Sequence, residues 1–127
     1  MLITFHYVQQ ESPPAPYVLV SIGRFDGQAS LVDLPAKVDS AADRTVIPLQ
    51  VATQLALDEI EQRQFAGLGS IVVTLSIYRT MLTIRGFTPI LADTAGNPGE
   101  PHVLLGRDIL NLYRLVLDGP SLRVEIG

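Results

Sequence analysis

Short runs of β-branched and aromatic residues, separated by Pro, Gly and Asp, dominate the hydrophobic pattern along the chain. Runs of this kind predict strands, and the residues between them predict turns. Asp26-Gly27, for example, is a dipeptide favoured in tight hairpin turns. The predicted strands cover residues 2–8, 17–22, 30–32, 36–38, 45–47, 88–92, 103–105, 115–117 and 122–126.

The middle of the chain predicts a long hairpin. Residues 65–70 are Gly-rich, and alternating apolar positions in residues 71–83 predict two strands that turn at Tyr78-Arg79. Residues 93–99 are rich in turn-forming side chains, so we expect an exposed turn there. For the same reason the Asp93-Thr94 pair inside this turn is not expected to form a catalytic site.

Two segments have a helical pattern. Pro48 can occupy the first turn of a helix, and apolar residues recur at helical spacing from Leu49 to Leu57. Residues 107–113 are compatible with a second, short helix near the C-terminus. Many short strands with two short helices predict an all-β sandwich or barrel. We expect one domain over residues 1–127, which starts with a strand and a Pro-rich linker in residues 1–16.

Composition and charge narrow the range of functions. The 127 residues are 47% hydrophobic and 17% charged, which indicates a globular chain with its own core. A mean hydropathy of +0.30 in so short a chain favours further burial between subunits. The net charge of −4 and the scattered basic residues disfavour nucleic-acid binding. Because cysteine is absent and the two histidines are far apart, we expect no metal site.

The apolar runs, such as residues 71–73 and 103–105, are far too short to cross a bilayer. The first eight residues lack the basic start and the small-residue cleavage pattern of a signal peptide. We therefore expect no membrane partner, and a cytoplasmic location is the default expectation.

Two short motifs carry the candidate chemistry. Val38-Asp39-Ser40-Ala41-Ala42-Asp43 places an apolar residue before an Asp, a hydroxyl residue and small residues. Leu105-Gly106-Arg107-Asp108 follows further apolar residues, and its Gly lies 67 positions after the Asp of the first motif. The two motifs resemble the active-site segment and the C-terminal segment of the retropepsin family of aspartic proteases. Between them, Gly67-Leu68-Gly69 resembles the Gly-rich tip of the family's flap, which closes over the substrate.

This resemblance implies an acid-protease barrel and an aspartic endopeptidase that is active as a homodimer without a cofactor. Asp39 would be the catalytic residue, one from each subunit, because one carboxylate must activate water while the other protonates the scissile carbonyl. The substrate would be an extended polypeptide. The terminal strands, residues 2–8 and 122–126, would form the dimer interface, since retropepsins interleave their termini in one sheet.

The family's roles carry over to further residues of the two motifs. The Ser40 hydroxyl would hydrogen-bond across the dimer axis, Ala42 would pack inside the loop, and Asp43 would form a structural ion pair with Arg107. Ala41 departs from the family, which has Gly at that position. Its methyl group would crowd the site or strain the turn unless the local dihedral angles suit an L-residue.

That departure keeps open an alternative from a different class, a catalytically inactive retropepsin-like module for dimerisation or peptide binding. A weaker alternative is an unrelated small β-domain in which the motifs occur by chance. The histidines His6 and His102 do not indicate a Ser-His-Asp triad, because the sequence has no Gly-x-Ser-x-Gly turn to expose a serine.

Overall fold

The structure, a computed structural model that describes all 127 residues, consists mainly of β-strands. Ten strands, two short α-helices and one 3-10 turn follow one another along the chain. In chain order the elements are β1 (Ile3–His6), β2 (Tyr17–Gly23), β3 (Ser30–Val38), β4 (Val46–Pro48), α1 (Leu49–Gln54), β5 (Glu59–Ala66), the 3-10 turn (Leu68–Ser70), β6 (Val72–Ile84), β7 (Ile90–Asn97), β8 (Val103–Leu105), α2 (Arg107–Leu110), β9 (Leu115–Asp118) and β10 (Arg123–Ile126).

Six of the strands close a barrel. Hydrogen bonds link β2, β3, β8, β4, β7 and β6 in that order, and β6 then pairs with β2 to complete the ring. Most of these pairs are antiparallel, but β3–β8 and β4–β7 are parallel. Closure removes the sheet edges that open sheets must protect. β5 pairs only with β6, so it lies outside the ring as one strand of a β5–β6 hairpin.

The barrel interior is filled by alternate residues of its strands. In β2, Val18, Val20 and Ile22 are buried, whereas Leu19 and Ser21 between them are partly exposed, as the two-residue period of a strand requires. The helices close the barrel by burying apolar residues against it. The fully enclosed core includes Ile22, Ile47, Ile77, Leu82, Ile84, Leu105 and Ile109.

The chain ends form a separate three-stranded sheet in the order β1-β10-β9. Its buried face carries Phe5, Val124 and Ile126, which belong to the same core as the barrel residues. The strand β10 is bonded on both sides by strands of its own chain. Within one chain, the free edges of this sheet are therefore those of β1 and β9.

The predicted all-β barrel with one mid-chain helix and one helix near the C-terminus is confirmed. Both helices are shorter than predicted, because tight turns replace the last residues of the predicted helices. The Leu57 N–H donates to the Ala52 carbonyl after α1, and the Tyr113 N–H donates to the Leu110 carbonyl after α2. Neither helix is long and apolar enough to span a membrane. The strands predicted at residues 30–32 and 36–38 are one strand, β3.

The predicted hairpin turn at Tyr78-Arg79 is wrong. β6 passes through this dipeptide without interruption, and the turn of the hairpin lies at residues 67–71, where the chain returns from β5. Tyr78 pairs with Glu59 on one side and with Thr94 on the other, so it lies in the middle of a sheet. The sequence pattern does not predict β5, because nearly all of its side chains are exposed and no alternation of buried and exposed positions marks it as a strand.

Residues 93–97 are also not the exposed turn that their composition predicts. They form the second half of β7, in which Thr94, Ala95 and Gly96 are buried. Pairing with β6 on one side and β4 on the other overrides the turn propensity of these residues. Close packing explains the glycine at position 96, since a Cβ there would lie 2.6 Å from Cε2 of the Tyr78 ring. The prediction that Asp93-Thr94 lies in a surface turn is thus wrong.

Candidate active site

The loop that begins at Asp39 is positioned by the parallel pair of strands β3 and β8. Val38 at the end of β3 pairs with Leu105 at the end of β8. The Asp39 N–H donates to the Leu105 carbonyl at 3.0 Å, which continues the ladder by one residue beyond the strand. The two sequence motifs, far apart along the chain, therefore meet at the same end of the barrel.

Hydrogen bonds within the loop orient the Asp39 carboxylate. The Ala41 N–H donates to Oδ1 of Asp39 at 3.2 Å, and the Ala42 N–H donates to the Asp39 carbonyl at 3.2 Å. Such local bonds are typical of an Asp that begins a tight turn. Asp39 remains partly exposed, while Ser40 and Ala41 at the crest of the loop are exposed. The carboxylate and the Ser40 hydroxyl are thus available to groups outside this chain.

Ala41 has an ordinary backbone conformation. The residues other than glycine with positive φ are Asp33, Ala56, Ser70 and Leu122, and Ala41 is not among them. An L-residue at this position therefore costs no left-handed strain within the chain. Its exposed methyl group lies at the loop crest, where it faces outward.

The helix α2 is bonded to the loop through its first residue, Arg107. The Arg107 N–H donates to the Ala42 carbonyl at 2.9 Å, and Nη1 of Arg107 donates to the Ser40 carbonyl at 2.7 Å. The other terminal nitrogen of Arg107 forms an ion pair with Asp43. One guanidinium thus holds two points of the loop, which a single ammonium group could not do with the same geometry.

A second set of bonds lies behind the loop. Both oxygens of Asp108 accept the Thr45 N–H, at 3.0 and 3.1 Å, and Oδ1 also accepts the Thr45 hydroxyl at 2.8 Å. The Gly106 N–H in turn donates to Thr45 Oγ1 at 3.1 Å. Thr45 is fully buried, so its hydroxyl links the two motifs at a point from which water is excluded.

Sequence reasoning assigns no role to Thr45 or Asp108. Asp108 could have been found, since it directly follows Arg107 in the second motif, but nothing in the chain order indicates that Thr45 lies against it. The structure brings eight of the predicted site residues together around one loop: Asp39, Ser40, Ala41, Ala42, Asp43, Leu105, Gly106 and Arg107.

Asp39 borders a groove of about 680 Å³. Its walls come from the N-terminal segment after β1, from β3, and from the segment that leads into β8. The lining residues are Val8, Gln10, Glu11, Tyr17, Pro35, Lys37, Asp39, Glu100, Pro101, His102 and Leu104.

The electrostatics of this groove centre on Glu11. Lys37 Nζ donates to Glu11 Oε1 at 2.7 Å, and this hydrogen bond lowers the pKa of the Glu11 carboxyl. Burial raises the pKa of Tyr17 to about 12, helped by the neighbouring Glu11 and Glu100 carboxylates. The His102 ring packs edge-on against the Tyr17 ring, with 5.8 Å between their centroids. No group of His, Asp and Glu side chains is arranged to hold a metal ion.

The predicted flap residues lie at the tip of the β5–β6 hairpin. Gly67 leads into the 3-10 turn, and Gly69 within it has a φ of 73°, a conformation that favours glycine. The side chains around this tip are apolar and exposed, with Leu68 at 96% and Ile71 at 65%. None of the tip residues lines the groove beside Asp39.

Solved structures of other proteins share this architecture. No protein-family model matches the sequence, and no curated protein matches it as a relative. A retropepsin-like aspartic protease from Rickettsia conorii superposes with a TM-score of 0.66, at 11% identity, over 99% of this chain and 90% of its own. The chain has the retropepsin fold.

Two further structures with the retropepsin fold give the same result. The protease of simian foamy virus (mac) matches with a TM-score of 0.55 and 17% identity, over 76% of this chain and 92% of its own. The retroviral protease-like domain of Ddi1 from Leishmania major matches with a TM-score of 0.51 and 18% identity, over 82% of this chain and 81% of its own. The fold predicted from the two motifs is therefore confirmed.

Proposed function

We propose that this chain is the subunit of a homodimeric aspartic endopeptidase in which Asp39 is the catalytic residue. One observation carries the proposal: the Asp39 loop is bonded to the second motif, while the Asp39 carboxylate borders a groove and accepts only from its own loop. A structural Asp would be expected to bond a distant segment with both carboxylate oxygens, as Asp108 does with Thr45. The retropepsin fold supports the same assignment.

Peptide hydrolysis at this site would use one Asp39 from each subunit. Two carboxylates at close range resist joint ionisation, so the pair holds one proton. The ionised carboxylate accepts a proton from water, whose oxygen attacks the scissile carbonyl carbon, and the protonated carboxyl gives its proton to the carbonyl oxygen. The tetrahedral diol then collapses, and a proton passes to the leaving amine. All reacting protons are carried by the two carboxyl groups.

The surrounding residues have positioning roles in this proposal. Ser40 lies at the loop crest, where its hydroxyl would bond the partner's loop and hold the two Asp39 side chains together. Asp43 and Arg107 keep the loop on α2. Gly67, Leu68 and Gly69 would act as a flap over an extended peptide, whose backbone would pair with strands in the manner of strand addition.

The terminal sheet offers the place where a second subunit would add. The edges of β1 and β9 are unpaired, and β9 exposes Val116 at 40% and Leu117 at 51%. Exposed apolar residues on a free strand edge favour association with another strand. β9 follows α2 in the chain after a short connection. A dimer contact at β9 would therefore be close in sequence to the helix that holds the Asp39 loop.

The test is cleavage of an unfolded protein mixture by the wild type and by Asp39→Asn, between about pH 4 and pH 7, where a dyad should hold one proton. We expect the wild type to cut and the variant to lose at least about a thousandfold in rate, since the missing carboxylate can neither accept nor donate the proton. Asp58→Asn, at an exposed carboxylate that does not line the groove, is the control and should retain full activity.

Sedimentation of the same samples makes the outcome decisive. If neither the wild type nor Asp39→Asn cuts while both remain dimers, the chain is an inactive dimerisation or peptide-binding module. Full activity in Asp39→Asn would remove Asp39 from the mechanism.

A further inference from the structure

The groove beside Asp39 combines an apolar surface with several charged side chains. Its apolar and aromatic lining residues are Val8, Tyr17, Pro35, Pro101 and Leu104, and its charged ones are Glu11, Lys37, Asp39 and Glu100. In ligand pockets of this kind, a few polar groups fix the orientation of the ligand and provide specificity. The polar groups here are therefore expected to decide which side chain the groove accepts.

The balance of charge in the groove walls is negative. Glu11, Glu100 and Asp39 contribute carboxylates, whereas Lys37 is the single basic residue apart from the imidazole of His102. Lys37 is already occupied by Glu11, through the 2.7 Å hydrogen bond to Oε1. Glu100 is in no ion pair of the structure, so its charge is not compensated.

A second observation concerns the other oxygen of Glu11. Oε2 is buried and has no hydrogen-bond partner of good geometry, although the Tyr17 hydroxyl is in its vicinity. A buried carboxylate oxygen without a donor is unfavourable, and a donor group that enters the groove would relieve it.

We propose that this groove selects a basic side chain, Lys or Arg, next to the bond that is cleaved, with Glu100 and Glu11 as the specificity-determining residues. The inference rests on the proposed function, since it deepens the role of the Asp39 site. An extended peptide that lies across Asp39 would place its side chain between the segment at Glu11 and the segment at Glu100. The ammonium or guanidinium group would donate to these carboxylates while its aliphatic stem packs on Pro35 and Leu104.

Binding, which needs no catalysis, tests the proposal directly. Three labelled octapeptides, identical except for Lys, norleucine or Glu at the central position, are titrated with Asp39→Asn by fluorescence anisotropy at pH 7.5 and low salt. We expect the Lys peptide to bind about three- to fivefold more tightly than the norleucine peptide, since a partly exposed charge pair contributes modestly, and the Glu peptide to bind more weakly than both. Salt should reduce the difference.

Variants of the acidic residues assign the effect to the groove. Glu100→Gln in the Asp39→Asn background should remove most of the preference for Lys without changing the affinity of the norleucine peptide. With Glu11→Gln added, Lys37 becomes the uncompensated charge, and the preference should reverse toward the Glu peptide. Glu125→Gln, which changes the net charge equally but does not line the groove, should keep the preference for Lys.

Each outcome bears separately on the two proposals. Equal binding of the Lys and norleucine peptides, or a preference for Lys that survives Glu100→Gln, overturns the specificity proposal. Selective binding of the Lys peptide supports it even if the wild type cleaves nothing, in which case the proposed proteolysis fails alone. Cleavage by the wild type next to apolar residues, without preference for basic ones, supports proteolysis and overturns the specificity. If none of the peptides binds, the specificity proposal falls, and cleavage of the unfolded protein mixture decides the proposed proteolysis by itself.

Discussion

Gly106 is the residue on which the fit between the two motifs depends most closely. It is buried where the segment after the Asp39 loop passes over the start of α2. A Cβ at this position would lie 2.6 Å from the Arg44 carbonyl carbon, 2.8 Å from its oxygen and 2.9 Å from the Thr45 nitrogen. All three are backbone atoms, which cannot turn away as the end of a flexible side chain can. The absence of a side chain at Gly106 therefore allows the loop and the helix to pack directly.

Gly106→Ala should destabilise the protein by about 1–3 kcal/mol, the usual cost of forcing a methyl group into a packed site. The Asp39 loop should shift with Arg44, so proteolytic activity should fall by more than the change in stability explains. Urea denaturation and peptide cleavage measure the two effects. Gly119→Ala is the matched control, because nothing lies within 4 Å of a Cβ there and its φ is not positive. Equal stability of the two variants would contradict the packing argument.

The Glu11–Lys37 pair predicts a pH-dependent contribution to stability. Lys37 lowers the pKa of the Glu11 carboxyl below its ordinary value of 4.5, so the ionised form is favoured in the folded state. Such a group stabilises the fold above the unfolded pKa, and its contribution is lost as the pH falls through the lowered folded value. Glu11→Gln should therefore be less stable than the wild type at pH 7, and the difference should disappear in acid.

Urea midpoints of the wild type and Glu11→Gln at about pH 7, 5 and 3 check this expectation. Glu125→Gln serves for comparison, since Glu125 is in no ion pair and its substitution should give a small difference that changes little with pH. A deficit of Glu11→Gln that is unchanged at the lowest pH would show that the lost contribution is packing rather than charge.

At the scale of the element, the outer part of the β5–β6 hairpin is largely exposed to solvent. Nearly every side chain of β5 is exposed, and the tip carries Leu68, Ile71 and Val72 into solvent. Isolated two-stranded hairpins are marginally stable, and this one is stable because β6 continues into the barrel. Exposed apolar residues at the end of a projecting hairpin would suit the proposed role of a flap over a bound peptide.

The double variant Leu68→Ser with Ile71→Ser should raise the KM for a peptide substrate about tenfold, because the closed hairpin would lose its apolar contacts with the peptide or the partner hairpin. The midpoint of thermal unfolding should stay within about 1 °C, since neither side chain belongs to the core. Steady-state kinetics and calorimetry measure the two quantities. Val32→Ser, at another exposed apolar residue, should change neither. An unchanged KM in the double variant would exclude the tip from substrate binding.

The same hairpin shows what sequence patterns could and could not predict. Strands with one buried face, such as β2, alternate in polarity and are found by that alternation. β5 has no buried face, so its sequence carries no such signal. Residues 93–97 carry a misleading signal. Asp, Thr, Gly and Asn favour turns, but in the fold these residues pair with a strand on each side.

The candidate site was more predictable than these elements. Its two motifs are local in sequence, and the loop, the helix that holds it and the glycines at the hairpin tip could be named from their order. Thr45 and the groove walls at Glu11 and Glu100 could not, since they depend on how distant segments approach one another in the closed barrel.

At the scale of the whole molecule, the proposed dyad requires a second copy, because each chain would supply a single Asp39. Within one chain the terminal sheet has free edges at β1 and β9, and β9 carries exposed apolar residues, whereas β10 is bonded on both sides. A two-fold axis beside β9 would extend the sheet from three strands to six. The contact would bring Val116 and Leu117 of both copies together.

Leu117→Lys should weaken the dimer by at least about a hundredfold, because two like charges would meet at the axis. Proteolysis should be lost with the dimer, while the far-ultraviolet circular dichroism of the chain stays that of the wild type. Sedimentation velocity across a range of concentrations measures the association. Val32→Lys places the same charge on an exposed residue of β3 and should leave the dimer intact. A dimer that survives Leu117→Lys would place the interface elsewhere.

The single strand β6 belongs to both the barrel and the hairpin, and this sharing has a mechanical consequence. Near its end β6 is bonded to β2 and β7, whereas Val72 to Leu75 are accompanied by β5 alone. The strand is therefore a cantilever, clamped in the barrel wall and free at the tip. With no loop between the clamped and the free parts, the proposed flap would close by elastic bending and twisting of a ribbon, not by rotation about a hinge. Such a ribbon would return to its open position without a further contact, and the barrel that anchors it would set its stiffness.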